Sequence, residues 1–123
     1  MKLNIGIFQY KMRDETPHER IKRLAAQLKK NRSLDLIICP ELFLSGYGSE
    51  DKIKEFCESS KGDYAKEISL LAKAYATAIV YGYPEKNSNK LFNSAQLFDN
   101  NGKSLANHRK KMLPPTASES KIF

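Results

Sequence analysis

DLIICPELFLSGY, residues 35–47, runs from a nearly continuous apolar segment into a proline, a lone carboxylate and a second apolar run. Leu34 to Cys39 reads as a strand apolar on both faces, as in a sheet covered on both sides. Pro40 has no N–H to give to a ladder and ends it. Glu41 then stands between Pro40 and Leu42-Phe43-Leu44, among the residue types that build cores. A solvated glutamate usually keeps polar company, so the question is why a lone carboxylate stands at the mouth of this strand.

Outward from this segment the chain reads as one α/β unit. Leu3, Ile5 and Ile7 alternate, with Phe8 on the other face, as in a first strand. TPHERIKRLAAQLKK, residues 16–30, opens a helix: Thr16 is its N-cap, Pro17 suits its first turn and Glu19 completes a capping box. Ile21, Leu24, Ala25 and Leu28 share one helical face. Beyond the PELFLSGYG loop, SEDKIKEFC predicts a short helix capped by Ser49. GDYAKEISLLAKAYATA predicts a longer one burying Tyr64, Ile68, Leu71, Ala72 and Tyr75. AIVYGYP is a third strand, EKNSNK a turn cluster, and LFNSAQLF a fourth strand. DNNGK is a hairpin turn in which Asn101-Gly102 supplies positive φ, SLANHRK a fifth strand, and KMLPPTASESKIF a loop-like tail. The order β-α-β-α-α-β-β-β asks for crossovers first and hairpins later, hence a mixed sheet with helices on one face.

The bulk numbers fit this reading. The chain has 123 residues, 41% hydrophobic and 28% charged, enough for one domain. The net charge is +7, but apart from HRKK the cations lie singly or in pairs, which favours a basic solvated surface over a nucleic-acid partner. No run approaches the ~20 apolar residues of a membrane span. The N-terminus reads as a strand and not as a signal peptide. The two cysteines, Cys39 and Cys57, form no CxxC and no disulfide framework, so a reducing, cytoplasmic setting is expected.

Once the strands are placed, Glu41, Lys110 and Glu119 stand out. Acid, cation and acid at strand ends can converge at one rim of a sheet. A glutamate in an apolar pocket has its charged form disfavoured and can shuttle a proton. A lysine beside it holds a cation where an oxyanion could develop. By spacing alone each residue also has a plainer reading. Glu41 is then a loop acid whose apolar neighbours face away, Lys110 one of three adjacent cations in solvent, and Glu119 part of the tail surface.

PELFLSGY resembles the segment around the catalytic glutamate of the carbon–nitrogen hydrolase (nitrilase) superfamily. HRKKMLP is similar to that family's catalytic-lysine segment, LFNSAQLFDNNGK to the hairpin before it, and LNIGIFQY to its first strand. ESKIF is similar to its second-glutamate segment. The resemblance covers essentially the whole chain in the right order. It implies part of a four-layer α-β-β-α sandwich with a mixed sheet. Glu41 would be the general base, Lys110 the oxyanion-stabilising lysine, and Glu119 the glutamate that holds lysine and substrate in position. It also implies hydrolysis of non-peptide C–N bonds of small amides, carbamoyl amines or nitriles without metal or organic cofactor. His108 stands where tyrosine is more usual and is read as a neighbour of the lysine. His18 is read as surface.

One departure matters. The family's nucleophile is a cysteine in a strand-to-helix turn well downstream of the second glutamate. The sequence reaches Phe123 before such a segment, and neither cysteine matches it. Cys57 falls on the apolar face of a short helix, and Cys39 lacks an exposing turn and an adjacent cation, so both are read as packing. Residues 1–123 are therefore expected to be an incomplete N-terminal portion of the domain, truncated before the nucleophile and inactive alone. The alternative is a non-catalytic binding or assembly piece of the same fold. The coding sequence after codon 123 separates the two. A half-built sheet is expected to leave an open edge and an uncovered apolar face, and so a chain that associates with itself.

Overall fold

The computed structural model describes residues 1–9, 11–47, 49–115 and 119–123. Expectations touching Tyr10, Gly48 and residues 116–118, at the ends of the first strand and of the PELFLSGYG loop and within the tail, lie outside them. The elements run β1 (Ile5–Ile7), α1 (Pro17–Lys30), β2 (Leu36–Ile38), α2 (Glu50–Glu55), α3 (Asp63–Tyr75), β3 (Ala78–Asn87), β4 (Lys90–Phe98), β5 (Ser104–Arg109) and α4 (Glu119–Ile122). The strands form one five-stranded sheet in sequence order. β1, β2 and β3 pair in parallel, and β3, β4 and β5 antiparallel. The parallel half follows from the helical crossovers, and the antiparallel half from two tight turns. No helix among the described residues is long and apolar enough to cross a membrane.

Local chemistry sets the helix ends. The Thr16 hydroxyl accepts from the Glu19 N–H, and the Glu19 carboxylate accepts from the Thr16 N–H at 2.7 Å. Ser49 caps α2 by accepting from the Lys52 N–H. α3 begins after Gly62, which has no side chain to cap with. Glu58 replaces it, accepting from the Tyr64 and Ala65 N–H groups at 3.0 and 2.8 Å. Ala76 ends α3 in the left-handed region.

Both long helices cover one face of the sheet. Ile21, Leu24 and Leu28 of α1 and Ala65, Ile68 and Ala72 of α3 are buried there with Phe8, Ile37, Ile79, Tyr81, Tyr83 and Phe98. Tyr64, Leu71 and Tyr75 pack partly buried against this cluster. Burying one such aliphatic side chain stabilises by about 2 kcal/mol, so this face is the core. Strand alternation turns Ile5, Ile7 and Ile38 to the opposite face, where they are 51%, 76% and 36% exposed.

Four expectations change. β2 is covered on one side only: Ile37 is buried, whereas Ile38 meets solvent. EKNSNK is not all turn, because β3 continues to Asn87 and the reversal is confined to Ser88 and Asn89. Ser88 takes φ +54°, and Lys86 and Asn87 before it are exposed. In the next hairpin only Gly102 has positive φ, while the Asp99 carboxylate accepts from the Asn101 and Lys103 N–H groups and shapes the turn. The tail is not wholly loop, since Glu119 heads the short helix α4.

Candidate active site

The candidate side chains gather on the face that α1 and α3 leave open. Past β2 the chain keeps following β3: the Cys39 N–H donates to Val80 O, the Gly82 N–H to Pro40 O, and the Leu44 N–H to Gly82 O. Leu42 takes φ +49°, a conformation a branched side chain adopts at a cost of order 1 kcal/mol. This bend drives Leu42, Phe43 and Leu44 inward, each at most 1% exposed, and leaves Glu41 outside. The expected apolar pocket around Glu41 is therefore absent: its side chain is 48% exposed. The apolar neighbours belong to the core, and the carboxylate belongs to the rim.

Lys110 follows β5 and extends its ladder by one bond, donating its N–H to Asn93 O at 2.8 Å. Its Nζ lies 2.8 Å from Glu41 Oε1 and 3.0 Å from Glu119 Oε1. The three residues singled out in the sequence thus meet at one point. Glu119 is buried, delivered by the first residue of α4. Burial pushes its carboxyl pKa up, but hydrogen bonds from Asn93, Lys110 and Tyr47 outweigh this and hold it below the usual carboxylate range. Hydrogen bonds to Glu41 and Glu119 hold the Lys110 ammonium well above its ordinary range, so it stays charged.

The sequence reading missed Asn93 and Tyr47 as site residues. The Asn93 Nδ2 donates one proton to Glu41 Oε1 and the other to Glu119 Oε1, both at 2.7 Å. One amide therefore sets the spacing of the two carboxylates. Tyr47 donates its hydroxyl to Glu119 Oε2 at 3.2 Å. Asn93 and Lys110 both converge on Oε1 of Glu41, and among the described residues Oε2 receives no donor. The available signal for Asn93 was the asparagine-serine-alanine centre of LFNSAQLF, in the segment similar to the family's hairpin. For Tyr47 it was an aromatic hydroxyl ending the same motif that carries Glu41.

A cleft of about 260 Å³ opens beside this cluster, lined by Cys39, Glu41, Gly82, Asn93, His108 and Lys110 among others. His108 shares the open face with Lys110, two residues apart on the strand. Cys39 is buried, and burial pushes its thiol pKa far up, which leaves it protonated. Cys57 follows α2, half-buried, and donates its Sγ–H to Lys54 O at 3.1 Å. His18 is remote from the site and pairs with Glu67 at 2.8 Å. Among the described residues no group of three or more His, Cys, Asp or Glu is arranged to hold a metal ion.

Residues 3–123 match the model of the carbon-nitrogen hydrolase family. The chain is 33% identical over 113 residues to a protein of Pseudomonas protegens described as "Hydrolase in pqqF 5'region", covering 90% of this chain and 40% of that protein. It is 33% identical over 79 residues to the Omega-amidase NIT2 of Bos taurus, covering 63% of this chain and 28% of that protein. Among solved structures, an N-terminal amidase with a Gln-Val peptide superposes with a TM-score of 0.79 at 25% identity, over 93% of this chain and 29% of that one. A mutant amidase of Nesterenkonia from the nitrilase superfamily shares the fold, with a TM-score of 0.82 at 20% identity over 98% of this chain and 48% of that one. The chain thus spans two-fifths or less of the length of these curated relatives.

Proposed function

This chain belongs to the carbon–nitrogen hydrolase family, and on that premise we propose that Glu41, Lys110 and Glu119 are the proton-transfer and oxyanion-binding part of a hydrolase acting on non-peptide C–N bonds of small amides, carbamoyl amines or nitriles. The observation that carries this reading is the Lys110 ammonium, held within 3.0 Å of both carboxylates while Asn93 bridges them. The amidase names among its relatives favour an amide as substrate.

The proposed chemistry follows from the free valences of the cluster. Lys110 has three N–H protons, and two carboxylates occupy two of them, which leaves the third for a substrate oxygen. Glu41 Oε2, which receives no donor among the described residues, is the proton acceptor. A thiol gives its proton to Glu41, and the thiolate attacks the amide carbon. The carbonyl oxygen becomes an oxyanion against Lys110. The intermediate collapses with cleavage of the C–N bond, and Glu41 returns the proton to the leaving ammonia or amine. Water then loses a proton to Glu41 and attacks the thioester. The thiol leaves with that proton, and the carboxylic acid is released. Glu119 touches no reacting atom in this scheme and positions Lys110.

Neither cysteine of the chain suits the attacking role. Cys39 is buried with a raised pKa, and Cys57 is spent on a backbone carbonyl. The sulfur is therefore assigned to a segment outside residues 1–123, and these residues to the N-terminal portion of a larger catalytic domain. The 123-residue chain alone should bind small amides without hydrolysing them. In side-chain NMR, titration with a small primary amide should move the Asn93 carboxamide and Lys110 ammonium signals, and the response should vanish in Lys110→Met. Amide-induced changes confined to other residues, or unaffected by Lys110→Met, would overturn the assignment.

A further inference from the structure

β5 is the outermost strand of the sheet, and Ser104–His108 are exposed along it. Side-chain packing therefore does little to hold the strand whose end delivers Lys110. A slip of one residue would send Lys110 to the helix side and Arg109 to the cleft. The helix side, directly beneath the site, carries a device against this. Glu85 is 3% exposed and accepts from Arg109 Nη2 at 2.7 Å, Arg109 Nε at 3.1 Å, Asn107 Nδ2 at 2.9 Å and Ser94 Oγ at 2.7 Å. Tyr83 donates its hydroxyl to Asn107 Oδ1 at 2.7 Å. The Arg109 guanidinium also lies 4.1 Å from the centroid of the Phe92 ring. One buried carboxylate thus ties β3, β4 and β5 together. Phe92 and Ser94 flank Asn93, and Arg109 precedes Lys110, so the same backbone serves both faces.

We propose that the Glu85–Arg109 pair is the positioning element for Lys110, locking the end of β5 on the helix side so that the ammonium reaches both carboxylates on the cleft side. The inference rests on the reading of Lys110 as the substrate-facing cation. Arginine is required because its planar fork fixes an angle that a lysine point charge leaves open.

The test needs no turnover, so its failure is distinct from failure of the hydrolase reading. It follows the titration of the Glu119 carboxyl by carbon-13 NMR in the 123-residue chain. Glu119 faces Lys110 and Tyr47 directly and Glu41 through Asn93. Lys110→Met sets the benchmark, an upward move of about one pH unit or more from loss of an adjacent cation. The double variant Glu85→Gln/Arg109→Met removes the clamp without stranding a buried charge. It should move Glu119 upward by most of the benchmark while amide exchange in β3 and β4 stays protected. Arg109→Lys, which keeps the charge and loses the fork, should move it in the same direction and decides the matter if the double variant does not fold. An unmoved Glu119 titration in whichever of these variants is folded would overturn the proposal.

Discussion

Glu41 is carried directly across Gly82. A β-carbon at position 82 would lie 2.8 Å from Glu41 Cα, 2.7 Å from Pro40 O and 2.5 Å from Leu42 N, all backbone atoms that cannot rotate away. The absent side chain lets the turn after β2 lie flat on β3 and sets the height of Glu41 above the sheet. Gly82→Ala should therefore lift the turn and loosen the contact between Glu41 and Lys110. The cost should be about 1–3 kcal/mol of stability, read from urea unfolding, together with loss of the amide-induced NMR response. A variant with the wild-type midpoint and response would show that the turn slides freely.

Acid should weaken the chain through Glu85. Burial pushes this carboxyl up, but hydrogen bonds from Arg109, Ser94 and Asn107 and the Arg109 charge outweigh it and hold the pKa at about 2, against 4.5 when free. The unfolded chain then binds more protons between these values. The contribution is complete above 4.5 and is lost as pH falls towards 2. It amounts to about 2 kcal/mol after allowance for Arg109, whose side chain is 40% exposed. The depressed Glu119 adds in the same direction. Unfolding curves through this window should show a shallower acid limb in Glu85→Gln than in the wild type. Equal slopes would remove Glu85 as a source of acid sensitivity.

The thiols should differ in reactivity. A buried, protonated Cys39 should resist alkylation in the native chain and react only when urea exposes it, whereas half-buried Cys57 should react first. Intact-mass spectrometry after incubation with an acylating amide should find no adduct on either. A stoichiometric acyl group on Cys39, lost in Glu41→Gln, would make this chain a hydrolase in its own right.

The open face should make the isolated chain associate. Ile5 and Ile7 of the outer strand β1 and Ile38 of β2 form an exposed apolar stripe. Size-exclusion chromatography should show homo-oligomers, with binding of a hydrophobic dye. Ile7→Lys, at a side chain 76% exposed, should reduce both with little change in unfolding midpoint. A monomeric wild-type chain that binds no dye would contradict this.

Elements whose causes are local could be read from the residues alone. The Thr16–Glu19 capping box, the 3.6-residue spacing of Ile21, Leu24 and Leu28, and the proline after Cys39 each act within a few residues, so α1 and the end of β2 were legible. That Glu41, Lys110 and Glu119 belong together was legible too, through motif resemblance. What surrounds them was decided by tertiary structure. Glu41 looked buried because its neighbours are apolar, and only the Leu42 bend and the absent β-carbon at Gly82 show that they turn inward while it faces out. Asn93 bridges two carboxylates through register and face, which depend on how β3, β4 and β5 pair. Arg109 and Lys110 look interchangeable as letters, yet strand alternation gives one to a buried carboxylate and the other to the cleft. Hydrogen bonds between residues 52 and 69 positions apart in sequence, Asn93 to Glu41 and Lys110 to Glu41, exist only once the sheet has brought its rims together.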